Sequence, residues 1–313
     1  MKDNVLIQPQ VHYDDEINLR ELFTVLWVDK IKIISVTAIF AILSVFYALS
    51  VPNQYKASAL LVPAQQQAGG ISGALAQLGG IASLAGVSLG SGDSSESQIA
   101  QRIMQSWSFI EDFIKTNNLE IDVFAAEGWD RASGKLQIDE DLYNSGITQW
   151  LVRNDETNKV GMPSSWQLFE TFTEMLSVSE DKKTGLVSVS IEYYSPQVAK
   201  QWLDMYISAI NKHMQERQME KVTRNIEYLE AQIAKTTIAE MQEVFYTIIE
   251  EQLKSKMLAE ANPDYAFVPV SPSMVPEQKS QPKRALICIL GTLLGAMLSV
   301  LLVLIMHHAR KSY

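Results

Sequence analysis

Two stretches of the chain run without a charge for long enough to cross a bilayer. Residues 33–51 read IISVTAIFAILSVFYALSV, 19 residues. Residues 285–306 give 22 more, with no Pro. About 20 apolar residues span a hydrocarbon core of roughly 30 Å. Lys30 and Lys32 precede the first run, with Trp27 and Tyr47 near its ends, where amphipathic aromatics favour the interface. A cleavable signal peptide is excluded, because the run is too long, starts too late and lacks a small-residue cleavage site. The expected plan is a tail at 1–32, a span at 33–51, an extramembrane segment at 52–284, a span at 285–306 and a tail at 307–313. Two spans put both tails on one side, and a seven-residue C-tail leaves no room for a catalytic domain there.

Between the runs the pattern changes several times. Residues 54–62, QYKASALLV, predict a short strand. Residues 57–92 carry no charge, and 69–92 hold 8 of the chain's 15 glycines. This Gly-rich stretch is expected to be a weakly apolar loop near the membrane. A plain flexible linker and a third span are its other readings, the latter weakened by eight glycines, Gln77 and four serines. Ile99, Ile103, Trp107, Ile110 and Ile114 recur at spacings of 3 and 4 and predict one helix over 94–117, capped by Ser94 or Ser95 and ended by Asn117 and Asn118. Residues around Trp129, Trp150 and Trp166 give mixed helices and loops. MLSVSEDKKTGLVSVSIEYY, residues 175–194, predicts a hairpin with Val187, Val189, Ile191 and Tyr193 on its buried face.

Residues 197–262 then contain no Gly or Pro. Trp202, Tyr206, Ala209 and Ile210 form one stripe, and Val222, Ile226, Leu229 and Ile233 another with 4-3-4 spacing. The reading is a helix to Ala234, a turn, and a returning helix over 237–261, started by a capping box at Thr237 and Glu240. The second stripe packs either in this hairpin or against a neighbouring subunit. Residues 263–284 hold half of the ten prolines. Pro fixes φ and removes a donor, so this piece runs extended, as a stiff linker or as a rigid contact surface. In the second apolar run Gly291 and Gly295 have the small-xxx-small spacing that lets two helices approach closely. Ordinary glycine content of membrane helices is the plain alternative.

Charge narrows the function classes. The formal net charge is −10. The tail to Lys32 contributes −2 and the chain from Ala285 onward +2, which leaves −10 on the middle segment. An acidic domain lacks the basic footprint that nucleic acid needs. Cys288, the only cysteine, lies within the second apolar run, which excludes an intrachain disulfide and a Cys-based metal site. His307 and His308 read as an interfacial anchor, and His213 as a polar helix-face residue. Asp139, Glu140 and Asp141 lack the Ca²⁺-loop spacing and read as a solvated turn. No phosphate loop, nucleophile elbow, HExxH or CxxC occurs. No cofactor site and no catalytic set is expected. Basic residues flank the spans almost equally on both sides, so the side of the middle segment stays open.

The end of the chain, QPKRALICILGTLLGAMLSVLLVLIMHHARKSY, resembles the C-terminus of Wzz-type polysaccharide chain-length determinants, in which a Pro-rich segment ends in P-K-[KR]-A and enters a Gly-bearing span. DDEINLRELFTVLWVDKIKIISV resembles that family's N-terminal tail, and QYKASALLVP its first strand. The resemblance covers roughly 60 residues at one end and 50 at the other. It implies an α+β membrane protein: two transmembrane helices flank a periplasmic domain with a small membrane-proximal α/β base and long projecting helices, in a bacterial inner membrane with both tails cytoplasmic. It further implies a homo-oligomeric ring or bell that acts with a Wzy-type polymerase to set the modal length of O-antigen or a related lipid-linked glycan. The polymerase-contact or helix-packing residues carried over are Pro269, Pro272, Pro276, Pro282, Lys283, Arg284, Gly291 and Gly295. The chain departs from the family in a short helical part and a prominent Gly-rich loop.

Three rivals come from other classes. One is a co-polymerase subunit for capsule or exopolysaccharide export that works with a separate cytoplasmic tyrosine kinase. Another is a two-span sensor, for which tails of 32 and 7 residues leave little room for output. The third is an enzyme on lipid-linked sugars that uses Asp139, Glu140 and Asp141.

Overall fold

Residues 26–64, 93–153 and 160–311 are described in a computed structural model of the chain. The expectations for most of the N-terminal tail, for the Gly-rich loop at 69–92 and for the side chains of His12, His307 and His308 lie outside what is described. The chain divides into two compact units, Met1–Val51 with Pro282–Tyr313, and Pro52–Gln281.

The first unit is a pair of antiparallel helices, α1 (Lys30–Ser50) and the last helix of the chain, Arg284–Lys311. Among the described residues two helices are long and apolar enough to cross a membrane: Lys30–Ser50, with mean hydropathy 2.3, and Arg284–Met306, with 2.7. Helix α1 begins three residues before the uncharged run. Asp29 holds its start, accepting from Lys32 Nζ at 2.7 Å, and the Lys30 ammonium sits 4.9 Å over the Trp27 ring.

The second unit mixes sheet and helix. Its elements are β1 (Tyr55–Pro63), α2 (Asp93–Met104), α3 (Trp107–Thr116), α4 (Glu120–Phe124), β2 (Ala126–Asp130), β3 (Lys135–Ile138), β4 (Tyr143–Asn144), β5 (Gln149–Trp150), β6 (Val152–Arg153), β7 (Val160–Gly161), α5 (Ser165–Met175), β8 (Leu176–Glu180), β9 (Val187–Tyr193), α6 (Pro196–Ile233), α7 (Ala239–Ala261) and β10 (Phe267–Pro269), and the final helix of the chain is α8. Strands pair antiparallel in the order β10-β1-β9-β8. Three two-stranded ribbons, β2-β3, β4-β5 and β6-β7, stand around Trp129 and Trp150, where helices and loops are expected from the sequence; strands of two to five residues are too short to show a period.

The predicted apolar face of β9 is buried, and on the opposite face Ser190 is buried as well, at 4% exposure. Val187, Val189, Ile191 and Tyr193 are all at most 1% exposed. They sit in one apolar core with Ala57, Ala59 and Leu61 of β1 and with Trp202, Leu203, Tyr206 and Ile210 of α6. Phe109, Phe113 and Phe172 close that core; Phe113 meets Tyr206 edge to face at 4.9 Å, and Tyr193 lies 4.4 Å from Trp202. Edge-to-face pairs add about 0.5–1.5 kcal/mol beyond the area they bury. Both buried phenols find acceptors: Tyr193 donates to the Asp122 carbonyl at 2.6 Å and Tyr206 to the Met104 carbonyl. The predicted helix-face His213 is half-buried, its ring 5.4 Å from that of Phe109.

Two further expectations are corrected. The helix expected over 94–117 is two helices, α2 and α3. Ser106 breaks it: its Oγ donates to Ile103 O at 2.7 Å and accepts from Phe109 N at 3.4 Å, ending one helix and capping the next. A serine that bonds nearby backbone competes with a continuous helix. The break re-aims the stripe, so Trp107 is exposed while Phe109, Ile110, Phe113 and Ile114 face the core. The capping box at Thr237 and Glu240 does not form, since the cap residue of α7 is Ile238 and makes no side-chain bond. Gln242 closes the turn by donating to Thr236 O at 2.7 Å.

The turn itself stands where expected. Ser195 caps α6 and Pro196 occupies its first turn, where a missing N–H costs nothing. Helix α6 runs 38 residues, roughly 57 Å. Helix α7 packs back along it, with Lys256 Nζ donating to Thr223 Oγ1 at 3.2 Å and Gln215 Nε2 to Ala259 O at 2.8 Å. Val222 is buried in this hairpin, and Ile226, Leu229 and Ile233 are half-covered.

Burial raises the Asp122 carboxyl above its ordinary value of 3.8. The folded chain therefore keeps that proton to higher pH than the unfolded chain. The resulting destabilisation is absent below pH 3.8 and grows as pH rises through the folded value. Asp122→Asn is expected to raise the melting temperature at pH 7 and to leave it unchanged near pH 3. An equal shift at both pH values would show that ionisation has no part in it.

Candidate functional site

From sequence the Pro-rich segment is either a linker or a contact surface. It begins as a strand. Leu61, Val62 and Pro63 of β1 pair with Pro269, Val268 and Phe267, and Val270 N donates to Leu60 O at 2.8 Å. This is an edge of the sheet, where Pro269 can sit without breaking a ladder.

The entry is held by one side chain. Asn211, on α6, is 1% exposed. Its Oδ1 accepts from Phe267 N at 2.8 Å and from Ala266 N at 3.0 Å, and its Nδ2 donates to Phe267 O at 2.8 Å. An amide side chain carries both the donor and the acceptors that a strand backbone presents. Gln215, one turn further along α6, donates to Asn262 O at 3.2 Å. Nearby, burial pushes the Tyr265 phenol up to about 12, and the charge of Glu96 adds to the rise.

Further on, the segment leaves the ladder. Gln54 bridges to Gln281, with Gln54 N donating to Gln281 O at 3.0 Å and Ser280 N to Gln54 O at 2.8 Å. From Leu61 to Gln54 the chain takes seven steps; from Pro269 to Gln281 it takes twelve. The surplus makes an excursion from the sheet. Ser273, buried, donates to Asp204 Oδ1 on α6 and ties that excursion down. Asp204 Oδ2 also pairs with Lys200 Nζ at 2.6 Å. Pro269 and Pro272 are exposed and Pro276 is half-buried.

The remaining predicted residues belong to the other unit. Pro282 is buried and Lys283 exposed. Arg284 Nε donates to Ala48 O at 3.0 Å, near the end of α1. Gly291 and Gly295 face α1 directly. A side-chain carbon at Gly291 would lie 2.5 Å from Ser44 Cβ, and one at Gly295 would collide with Phe40 Cβ and stand 2.9 Å from its Cγ. Sequence reasoning missed Ser299, four residues on, which is 1% exposed with its Oγ 3.3 Å from Thr37 Oγ1. Val303, another four on, is 3% exposed. Extending the small-xxx-small spacing by one turn would have found Ser299.

Asp139, Glu140 and Asp141 form a local turn. Asp139 Oδ1 accepts from Asp141 N at 2.8 Å, and Asp139 O from Tyr143 N at 2.9 Å. Among the described residues no group of three His, Cys, Asp or Glu side chains is placed to hold a metal ion.

Replacing Asn211 by Leu would leave the Phe267 N–H and C=O buried without partners, at about 1–3 kcal/mol each. Asn211→Leu is expected to lower stability by about 2–4 kcal/mol and to abolish slow hydrogen exchange at Ala266 and Phe267. Retained slow exchange there would show that the β1 ladder alone holds the segment.

The family model described as Wzz, chain length determinant protein, matches residues 15–117. No curated protein matches the chain. Among solved structures, a full-length bacterial polysaccharide co-polymerase aligns at 13% identity over 94% of this chain and 99% of that one, with a TM-score of 0.37. A fragment of WzzB, a polysaccharide co-polymerase from Salmonella Typhimurium, aligns at 9% identity over 73% of this chain and 100% of that one, with a TM-score of 0.25. At these scores no structural feature is carried over. Residues 15–117 are thus similar to the Wzz chain length determinant family, and that match together with the two apolar helices supports a membrane protein.

Proposed function

We propose that the chain is a polysaccharide co-polymerase of two spans in a bacterial inner membrane, with residues 52–284 in the periplasm and residues 1–32 and 307–313 in the cytoplasm. It sets the modal length of lipopolysaccharide O-antigen, or of a related lipid-linked glycan, made by a Wzy-type polymerase. The observation that carries this reading is the family match over residues 15–117. The resemblance of the Pro282-Lys283-Arg284-Ala285 end supports it.

In this reading the protein catalyses no step. It assembles as a homo-oligomeric scaffold and acts by contact. Exposed apolar side chains on the α6–α7 hairpin, Tyr228, Val244, Tyr246, Met257 and Leu258 among them, suit packing against further copies. Pro269, Pro272, Pro276, Pro282, Lys283, Arg284, Gly291 and Gly295 are the proposed polymerase-contact or helix-packing residues. A stiff segment held by Asn211 and Asp204 suits such a role, because a surface ordered before binding loses little entropy on docking.

The test is a gel of surface polysaccharide from a strain without the gene, and again with the gene restored. Loss of a clustered ladder of lengths on deletion, with recovery on complementation, is the expected result. An unchanged ladder with reduced secreted polysaccharide would replace this reading with export alongside a separate kinase. Leu at both Gly291 and Gly295 is expected to alter the length distribution while the far-ultraviolet spectrum and melt of the extramembrane domain stay as in the parent chain. An unaltered ladder in that variant would leave the glycines no part in setting length.

A further inference from the structure

The excursion of the Pro-rich segment forms one wall of a groove of about 450 Å³. Val275, Pro276 and Glu277 line that wall, and Tyr55, Trp129, Arg131, Pro196 and Gln197 line the rest. The volume lies within the roughly 300–1,000 Å³ of small-ligand sites. Tyr55 and Trp129 meet edge to face at 6.0 Å and 85°. Arg131, Gln197 and Glu277 are exposed.

We propose that this groove seats a sugar residue of the glycan. The inference deepens the chain-length reading and rests on it. The lining decides between ligand classes. An anion would meet the Glu277 carboxylate, and a cation the Arg131 guanidinium. A wholly apolar ligand would cover the aromatic rings but would make no use of the polar groups of Arg131, Gln197 and Glu277. A sugar ring satisfies both sets. Its C–H face lies on an aromatic surface, and its hydroxyls act as donors to Glu277 and as acceptors from Arg131 and Gln197. The site joins the sheet edge at Tyr55 to the Pro-rich segment at Pro276, so an occupied groove would brace the excursion that Ser273 and Ser280 anchor on either side.

The experiment is calorimetric titration of the full chain in mild detergent. The probe is the repeat-unit glycan, released from its lipid, of the host's own surface polysaccharide. Saturable binding is expected. Arg131→Ala and Glu277→Gln, both surface changes, are each expected to weaken it about tenfold, the equivalent of one lost hydrogen bond to a charged group. Trp129→Phe, which keeps one aromatic ring and removes the rest of the indole surface, is expected to weaken it as well. No saturable binding by the parent chain, or parent-like binding by both surface variants, would overturn the proposal. The deletion ladder separates the two readings. Disordered lengths on deletion together with no glycan binding would sink this site and leave the chain-length function standing. Groove-dependent binding with an unchanged ladder would do the reverse.

Discussion

The packing of β9 on α6 is the contact on which the extramembrane unit rests. Val187, Val189, Ile191 and Tyr193 meet Trp202, Leu203, Tyr206 and Ile210, and nearly all of these side chains are fully buried. Burying each such side chain is worth about 1.5–3 kcal/mol. That contact sets the first four turns of α6 on the sheet and so fixes where the rest of the helix goes. Asn211 lies one residue beyond Ile210 on the same helix and reaches the backbone of β10. One helix thus carries part of the core, the clamp on the Pro-rich segment and one arm of the α6–α7 hairpin.

The Pro-rich segment gains its order from elsewhere in the chain. Five prolines deny it a helix and part of a ladder. Asn211, Asp204 and Gln54 supply what its own backbone cannot, at Phe267, Ser273 and Gln281. The result is an ordered, partly exposed surface with an excursion in its middle. The same surplus of residues that takes it off the sheet opens the groove beside Trp129. In the other unit, small residues play a comparable part. Gly291, Gly295 and Ser299 let α8 approach α1 closely enough for Ser299 to meet Thr37. In lipid, where no hydrophobic force drives helices together, such close packing favours their association.

Much of this was legible along the chain. The two apolar runs, the strand at 54–62, the hairpin at 175–194, the long helix and its return all follow from local periodicity, and periodicity survives into structure because burial selects one face. The break at Ser106 was hidden because the isoleucine stripe continues through it; the hydroxyl that ends α2 competes at a scale finer than the stripe. The false capping box at Thr237 shows the opposite error, a local motif overridden when Gln242 closed the turn instead. The ribbons around Trp129 and Trp150 left little trace, since two-residue strands are too short to show a period.

By itself, the sequence determined which segments are apolar for a membrane's thickness, which face of β9 is buried, and that 197–262 forms helix interrupted by a turn. It offered Gly291 and Gly295 as candidates for close helix contact, with ordinary glycine content as the alternative. Only the tertiary structure decided that the Pro-rich segment is the edge strand of the sheet, that Asn211 holds it, and that its excursion places Pro276 beside Tyr55 and Trp129. Local pattern records which side of an element meets a core. It does not record which distant backbone a buried amide will satisfy, because that choice depends on residues 56 positions apart meeting in space.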